Sequence, residues 1–346
     1  MKSRMLILAL FAALAAWGPG TRPLLSQEKS TGGTVQVHMV ITDEAVREGG
    51  ELALLRAERV QVKQGKDSLK IDQLIPARGE NAALQFFVLI DDTCDSNIGN
   101  SLNDIRDFIN TQPATTAVGV AYMSNASIQI VQNFTTDHAL AAKAIRLPRG
   151  SLSAMDSPYL SLISLIKGWP EQKVRREVIM ITDGIDRLRG ERPSGYPSSP
   201  RSGRTIQTLP APPSPGGLGS ISTDATTASE ISQRYGVIVH GIYATGVGRA
   251  GRNAWEAQLG QSGVSKIADE TGGEYFALGI TPPLSFEPYL KRLQQIFDNQ
   301  YYLVFRAIPG KKAGLQRVRI STDVPDVEIA AADNVWVPAE NEPGAK

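Results

Sequence analysis

The rhythm of hydrophobic and polar positions changes near residue 84. Before it, 34–44 alternates at its start and is rich in β-formers, and 58–75 offers two further strands about a Gly65-Lys66-Asp67 turn. Residues 30–78 therefore read as a small β segment. Beyond it, 84–90 is a continuous apolar run ending at Asp91-Asp92, the pattern of a strand buried on both faces of a parallel sheet. Ile98, Leu102, Ile105, Phe108 and Ile109 follow at helical spacing, with Ser96 or Asn97 as N-cap. Next, 117–123 and 127–133 are strands joined by Ser124-Asn125-Ala126, a turn tight enough to require antiparallel pairing. Helices are predicted over 137–147 and 158–169, and a buried strand over 177–182 that ends at Asp183-Gly184. A helix at 225–235, a strand at 237–244 and a helix at 255–271 stopped by Gly272-Gly273 continue the alternation. A short strand at 274–278 and an amphipathic helix carrying Phe286, Leu290, Leu293 and Phe297 complete it.

Strands alternating with helices specify a parallel sheet covered on both faces. The expected fold is α/β: a doubly wound, mostly parallel six-stranded sheet over 84–299, with one antiparallel edge strand. Three strand-like segments without a helix follow, at 301–308, 315–321 and 327–337. Neither they nor 30–78 have enough strands to bury a core alone. The two terminal parts, 30–78 and 300–338, are expected to build one flanking β-unit. Two stretches are expected to be disordered: the Pro/Ser/Gly-rich insertion 189–220, with almost no apolar residue, and the tail 339–346.

Composition changes this picture little. The 346 residues are 42% hydrophobic and 21% charged with a net charge of +1, so nothing favours nucleic acid or an anionic membrane as partner. The first residues change it more. Lys2 and Arg4 precede an apolar run from Met5 to Trp17, closed by Gly18, Pro19 and Gly20. This is the layout of a secretory signal ending near residue 27, and the run is short for a membrane span. An exported protein, periplasmic or extracellular and without a stable membrane span after cleavage, is expected. Its single cysteine, Cys94, cannot form an internal disulfide.

In a doubly wound sheet, the functional crevice lies beyond the carboxyl ends of the strands. The loop there reads Asp91-Asp92-Thr93-Cys94-Asp95-Ser96-Asn97, with three carboxylates beside a helix start. Carboxylates and hydroxyls are the ligand set of Mg²⁺, Mn²⁺ or Ca²⁺. Like charges so close repel unless a cation or protons neutralise them.

This pattern resembles a von Willebrand factor A-type domain, with Asp91-x-Thr93-x-Asp95 in place of the family's first motif and Asp183-Gly184 in place of its last. The whole chain also resembles a group of secreted bacterial proteins, described mainly from acidobacterial genomes, in which such a domain sits between β segments. The resemblance implies that the first strand lies beside the fourth. It implies a metal-ion-dependent adhesion site formed by Asp91, Thr93, Asp95 and Asp183, with a middle-loop residue from Ser151, Ser153 and Asp156, Ser153 foremost. The divalent cation would keep a position open for an acidic group of an unknown protein partner. Asp95 departs from the family, which has Ser there, and would either strengthen the metal site or occupy the partner's position.

Other readings compete. Asp91 and Asp183 could be strand-end turn residues, Asp92 would face solvent or cap the following helix, and His240 would be a satisfied core histidine. His38, His138 and His240 have no ligand spacing. A Mg²⁺-dependent phosphatase of the haloacid dehalogenase type needs Asp-x-Asp, and residue 93 is Thr. No Gly-x-Gly-x-x-Gly follows the first strand, and Gly246-Val247-Gly248 reads as a turn. The expectation is a non-enzymatic, adhesion-type binding protein, the alternative a structural envelope protein with a non-functional metal site.

Overall fold

The computed structural model describes residues 33–43, 55–170, 172, 174–188, 222–247, 254–277, 279, 283–325 and 327–339. The expected signal segment, the 189–220 insertion and all but the first residue of the tail lie outside them.

In chain order the strands are β1 (Val35–Asp43), β2 (Val60–Gln64), β3 (Asp67–Leu69), β4 (Ile71–Pro76), β5 (Leu84–Asp91), β6 (Thr116–Ser124), β7 (Ser127–Thr135), β8 (Arg175–Thr182), β9 (Val237–Tyr243), β10 (Tyr275–Phe276), β11 (Gln300–Ala307), β12 (Gly314–Thr322), β13 (Ile329–Ala331) and β14 (Asn334–Val337). The helices are α1 (Leu102–Asn110), α2 (His138–Lys143), α3 (Pro158–Lys167), α4 (Thr223–Tyr235), α5 (Ala254–Thr271) and α6 (Glu287–Asp298).

The central sheet has six strands in the order β10-β9-β8-β5-β6-β7. All neighbours run parallel except the β6–β7 hairpin at the edge. The order reverses at β5, which has β8 on one side and β6 on the other. That reversal is the switch point of a doubly wound fold. Side chains alternate along the fully buried β5 and feed two cores. Phe86, Val88 and Ile90 pack with Leu102, Ile105 and Phe108 of α1 and with Leu293 and Phe297 of α6. Phe87 and Leu89 pack with Tyr159 and Leu162 of α3, Ala225 and Ala228 of α4, and Val264 and Ile267 of α5.

The flanking β-unit consists of two antiparallel four-stranded sheets, β13-β1-β11-β4 and β14-β12-β2-β3. Each combines strands from both ends of the chain, and they share one core that includes Val37, Ile41, Val62, Leu303, Phe305 and Val335. Local detail differs from the pattern reading. The segment 58–75 forms three strands rather than two, because a second break falls at Lys70. The segment 327–337 splits at Ala332-Asp333 into β13 and β14, which join different sheets. The predicted helix 137–147 stops at Lys143, and the chain then runs irregularly across the carboxyl end of the sheet.

At the amino end of the central sheet, Arg175 ties the two units together. Its guanidinium is buried and donates to the carbonyls of Phe297 (2.6 Å) and Ala82 (2.7 Å) and to Oε1 of Gln300 (2.7 Å). Nearby, His240 Nδ1 accepts from the Glu274 amide at 3.0 Å, which leaves Nε2 to donate to Glu177 at 2.7 Å. His240 is therefore the satisfied core histidine expected.

Candidate functional site

The opposite, carboxyl end of the sheet carries the acidic loop. β5 and β8 are paired up to Ile90 and Ile181, so Asp91 and Asp183 leave adjacent strands at one place. Both carboxylates are buried. The two oxygens of Asp91 accept from the Thr93 amide at 2.9 Å and from the Thr182 hydroxyl at 2.7 Å. Burial, and then the charge of Asp183, raise the Asp91 pKa to about 6, against the pull of those hydrogen bonds. The Thr93 hydroxyl is also buried and has no well-formed hydrogen bond, although it lies near enough to Asp91 to draw its pKa down slightly.

Asp183 is held differently. Arg187, four residues further along the irregular chain, places its guanidinium nitrogens 2.5 Å from Oδ2 and 3.4 Å from Oδ1 of Asp183. The Ile185 amide adds a bond to Oδ1 at 2.9 Å. The Arg187 side chain is only 11% exposed. Burial pulls its pKa down, and the charge and hydrogen bond of Asp183 outweigh that, so it rises above the ordinary arginine value.

Asp92 corrects an expectation. Instead of facing solvent or capping a helix it is buried, and it accepts a bidentate pair from Arg146 at 2.7 and 2.8 Å and the Arg149 amide at 3.1 Å. Its side chain draws the 144–150 segment across the sheet end, and its carbonyl accepts from the Gly150 amide at 2.9 Å. Arg146 in turn covers the Tyr122 ring at 3.6 Å.

The remaining predicted residues have local duties. Asp95, rather than Ser96 or Asn97, is the N-cap of the turn that leads into α1, accepting from the Asn97 amide at 2.9 Å. Ser153 accepts from the Met155 amide (3.1 Å) and donates its own amide to Asp156 (2.6 Å). Neither makes a hydrogen bond to Asp91 or Asp183. Of the middle-loop candidates, Asp156 organises the site. Its carboxylate also accepts from Asn125, where the β6–β7 turn adopts positive φ (51°), and its carbonyl accepts from the amides of Arg187 and Leu188 at 2.9 Å.

Two glycines permit the close packing. Gly246 lies over the Asp183–Arg187 pair, where a Cβ would come within 2.0 Å of Asp183 Oδ2 and 3.0 Å of Arg187 Nη2. The strand-like 245–247 segment is stitched to the acidic loop through Asp95 N to Thr245 O (2.8 Å) and Val247 N to Thr93 O (2.9 Å). Gly184 has φ +72° and touches the Gly260 backbone, so α5 seats directly on the end of β8.

The fit to a divalent cation is decided by these donors. Asp91, Thr93 and Asp183 are brought together, and the unbonded Thr93 hydroxyl could serve as a ligand. Asp183, however, already has a guanidinium partner, and Asp95 and Ser153 are turned to local bonds. Among the described residues no group of three or more His, Cys, Asp or Glu side chains could hold a metal ion. The residues as arranged do not fit a resident cation. Two features escaped the sequence reading. Arg187 had a usable signal, an arginine four residues after the strand-end acid. The Asp92–Arg146 pair, 54 residues apart in sequence, had none.

No family model matches the sequence, and no curated protein matches it significantly. Solved structures similar to it include an aerotolerance-related membrane protein from Bacteroides fragilis (12% identity, 62% of this chain and 99% of that chain covered, TM-score 0.40). A von Willebrand factor type A protein from Catenulispora acidiphila is also similar (10% identity, 88% and 74% covered, TM-score 0.38). So is the manganese-loaded TRAP protein of Plasmodium vivax (11% identity, 77% and 98% covered, TM-score 0.36). At these values the likeness concerns the fold alone. The sheet order, the switch point at β5 and the antiparallel edge strand give this chain the von Willebrand factor A-type architecture that its sequence resembles.

Proposed function

We propose that this is an exported, non-enzymatic protein that binds another protein through the carboxyl-end face of its central sheet. The observation that carries the reading is the make-up of the loops on that face. Between Arg146 and Ser157, Leu147 (52%), Leu152 (43%) and Met155 (56%) stand exposed. Arg149, with 60% of its side chain exposed, lies among them. Methionine and arginine are enriched in protein interfaces, and here Met155 and Arg149 stand beside Leu147 and Leu152 on a rigid base. The base is rigid because Asp92 and Asp156 fix the loop at both ends. The partner chemistry that suits it is an acidic group beside an apolar side chain.

Catalysis is the weaker reading. Cys94 is wholly buried, and burial together with Asp91 and Asp183 raises its thiol pKa well above the ordinary value, which is unfavourable for a nucleophile. His240 is locked in the core. Export rests on the basic and apolar start of the sequence, and no described helix is long and apolar enough to cross a membrane.

The test is capture from an envelope extract on immobilised protein, comparing wild type with Met155→Glu, Arg149→Glu and, as control, Lys291→Glu on α6. A specific band lost with the first two and kept with the third supports the face. A band retained by all three places binding elsewhere on the surface.

A further inference from the structure

We infer that Arg187 occupies the place of the divalent cation at this face, so that the site is built and binds without metal. The inference rests on the protein-binding reading above and concerns how that face is held. Four observations converge on it. Arg187 reaches both oxygens of Asp183, the strand-end carboxylate that a cation would need. Its backbone amide is pinned to the Asp156 carbonyl at 2.9 Å, so it is not a surface arginine that wanders in. Gly246 lies against the pair so closely that no side chain would fit, and the 245–247 segment is bonded across the acidic loop. Finally, Asp95 and Ser153, which would complete a ligand shell, spend their hydrogen bonds on their own turns.

The charge argument is simple. Asp91 and Asp183 sit at the ends of adjacent strands, and two buried carboxylates so placed repel unless something positive comes between them. A guanidinium fixed to the same chain supplies that charge at all ionic conditions, whereas a cation supplies it only above its dissociation constant. A divalent ion entering the site would first have to break a charge-assisted pair already removed from water. In its absence from the pair, Asp91, Asp183 and the unbonded Thr93 hydroxyl would form an oxygen donor set of the kind hard cations take.

The prediction is an inversion. Thermal unfolding and calorimetric titration with Mg²⁺, Mn²⁺ and Ca²⁺ should leave wild type unmoved relative to EDTA. Arg187→Ala should gain a saturable rise in Tm with cation and bind about one equivalent, as mass action requires of a ligand that binds only the folded state. Arg187→Gln keeps most of the side-chain volume and serves the same purpose if the alanine variant does not fold. A cation-dependent rise in wild type overturns the inference, and that arm decides alone if neither variant folds. Two folded variants that gain no cation binding also overturn it, because Arg187 then stands in no cation's place. Capture of the partner should be equal in EDTA and in Mg²⁺, and capture that requires the cation would again overturn it. Loss of capture in Met155→Glu is independent of these outcomes and tests only the face.

Discussion

The two ends of the central sheet both bury charge, and they resolve it in opposite ways. At the amino end, Arg175 donates to three neutral acceptors, two of them backbone carbonyls at the junction with the β-unit. At the carboxyl end, Arg146 and Arg187 each meet a carboxylate at the root of a loop. The first arrangement welds two units of the molecule together. The second holds loops in place while leaving their outer residues, Leu152 and Met155 among them, free to touch something else. Buried charge at the junction joins two units, and buried charge at the loops anchors the segments that carry exposed apolar side chains.

The largest effect that would break this contrast is at Asp183. Asp183→Ala leaves a nearly buried guanidinium without its partner and should cost roughly 3–5 kcal/mol in urea unfolding. A cost under about 1 kcal/mol would mean the pair is ornamental. Arg175→Met should follow at roughly 3–4 kcal/mol, since it orphans buried acceptors across the junction. It should also expose the β-unit to protease before the central sheet, which Asp183→Ala should not do.

Asp91 gives a smaller effect with a definite sign. Its folded pKa of about 6 lies above the ordinary value near ~3.9, so the folded state holds the proton more tightly. The associated stability is fully present below about pH 4 and is lost as pH rises toward 6, a span worth about 3 kcal/mol. Asp91→Asn should flatten that part of the stability profile, and an unchanged slope would mean that folding does not shift the Asp91 titration. Smallest of all, Met155→Ser should change stability by no more than about 0.5 kcal/mol, because the side chain is already exposed.

The parallel sheet was legible because its strands are buried on both faces and read as unbroken apolar runs. Leu84–Asp91 is the clearest, and Asp91 and Asp183 could be placed together from it. The β-unit was legible as strand-like segments of both termini that had to share a core, but not strand by strand, since the exposed face of each strand dilutes the pattern and short breaks such as Lys70 carry no signal. At the site, acids could be located but not their partners. Asp92 looked like a solvent-facing loop residue because nothing local marks Arg146 as its counter-ion. Asp95 looked like a ligand because a cap and a ligand draw on the same residue type.

The interleaving of the chain ends has a consequence for the order in which the molecule can be made. β1 pairs with β11, so Val35 waits for Ala307, roughly 270 residues later. At about 5–20 residues per second, synthesis leaves that edge without its neighbour for about 14 to 54 s. Over the same interval the central sheet can close, since its strands and helices all arrive between the two halves of the β-unit. The last strands to emerge therefore complete two sheets whose first strands were made at the start, with the whole central sheet and its helices encoded in between.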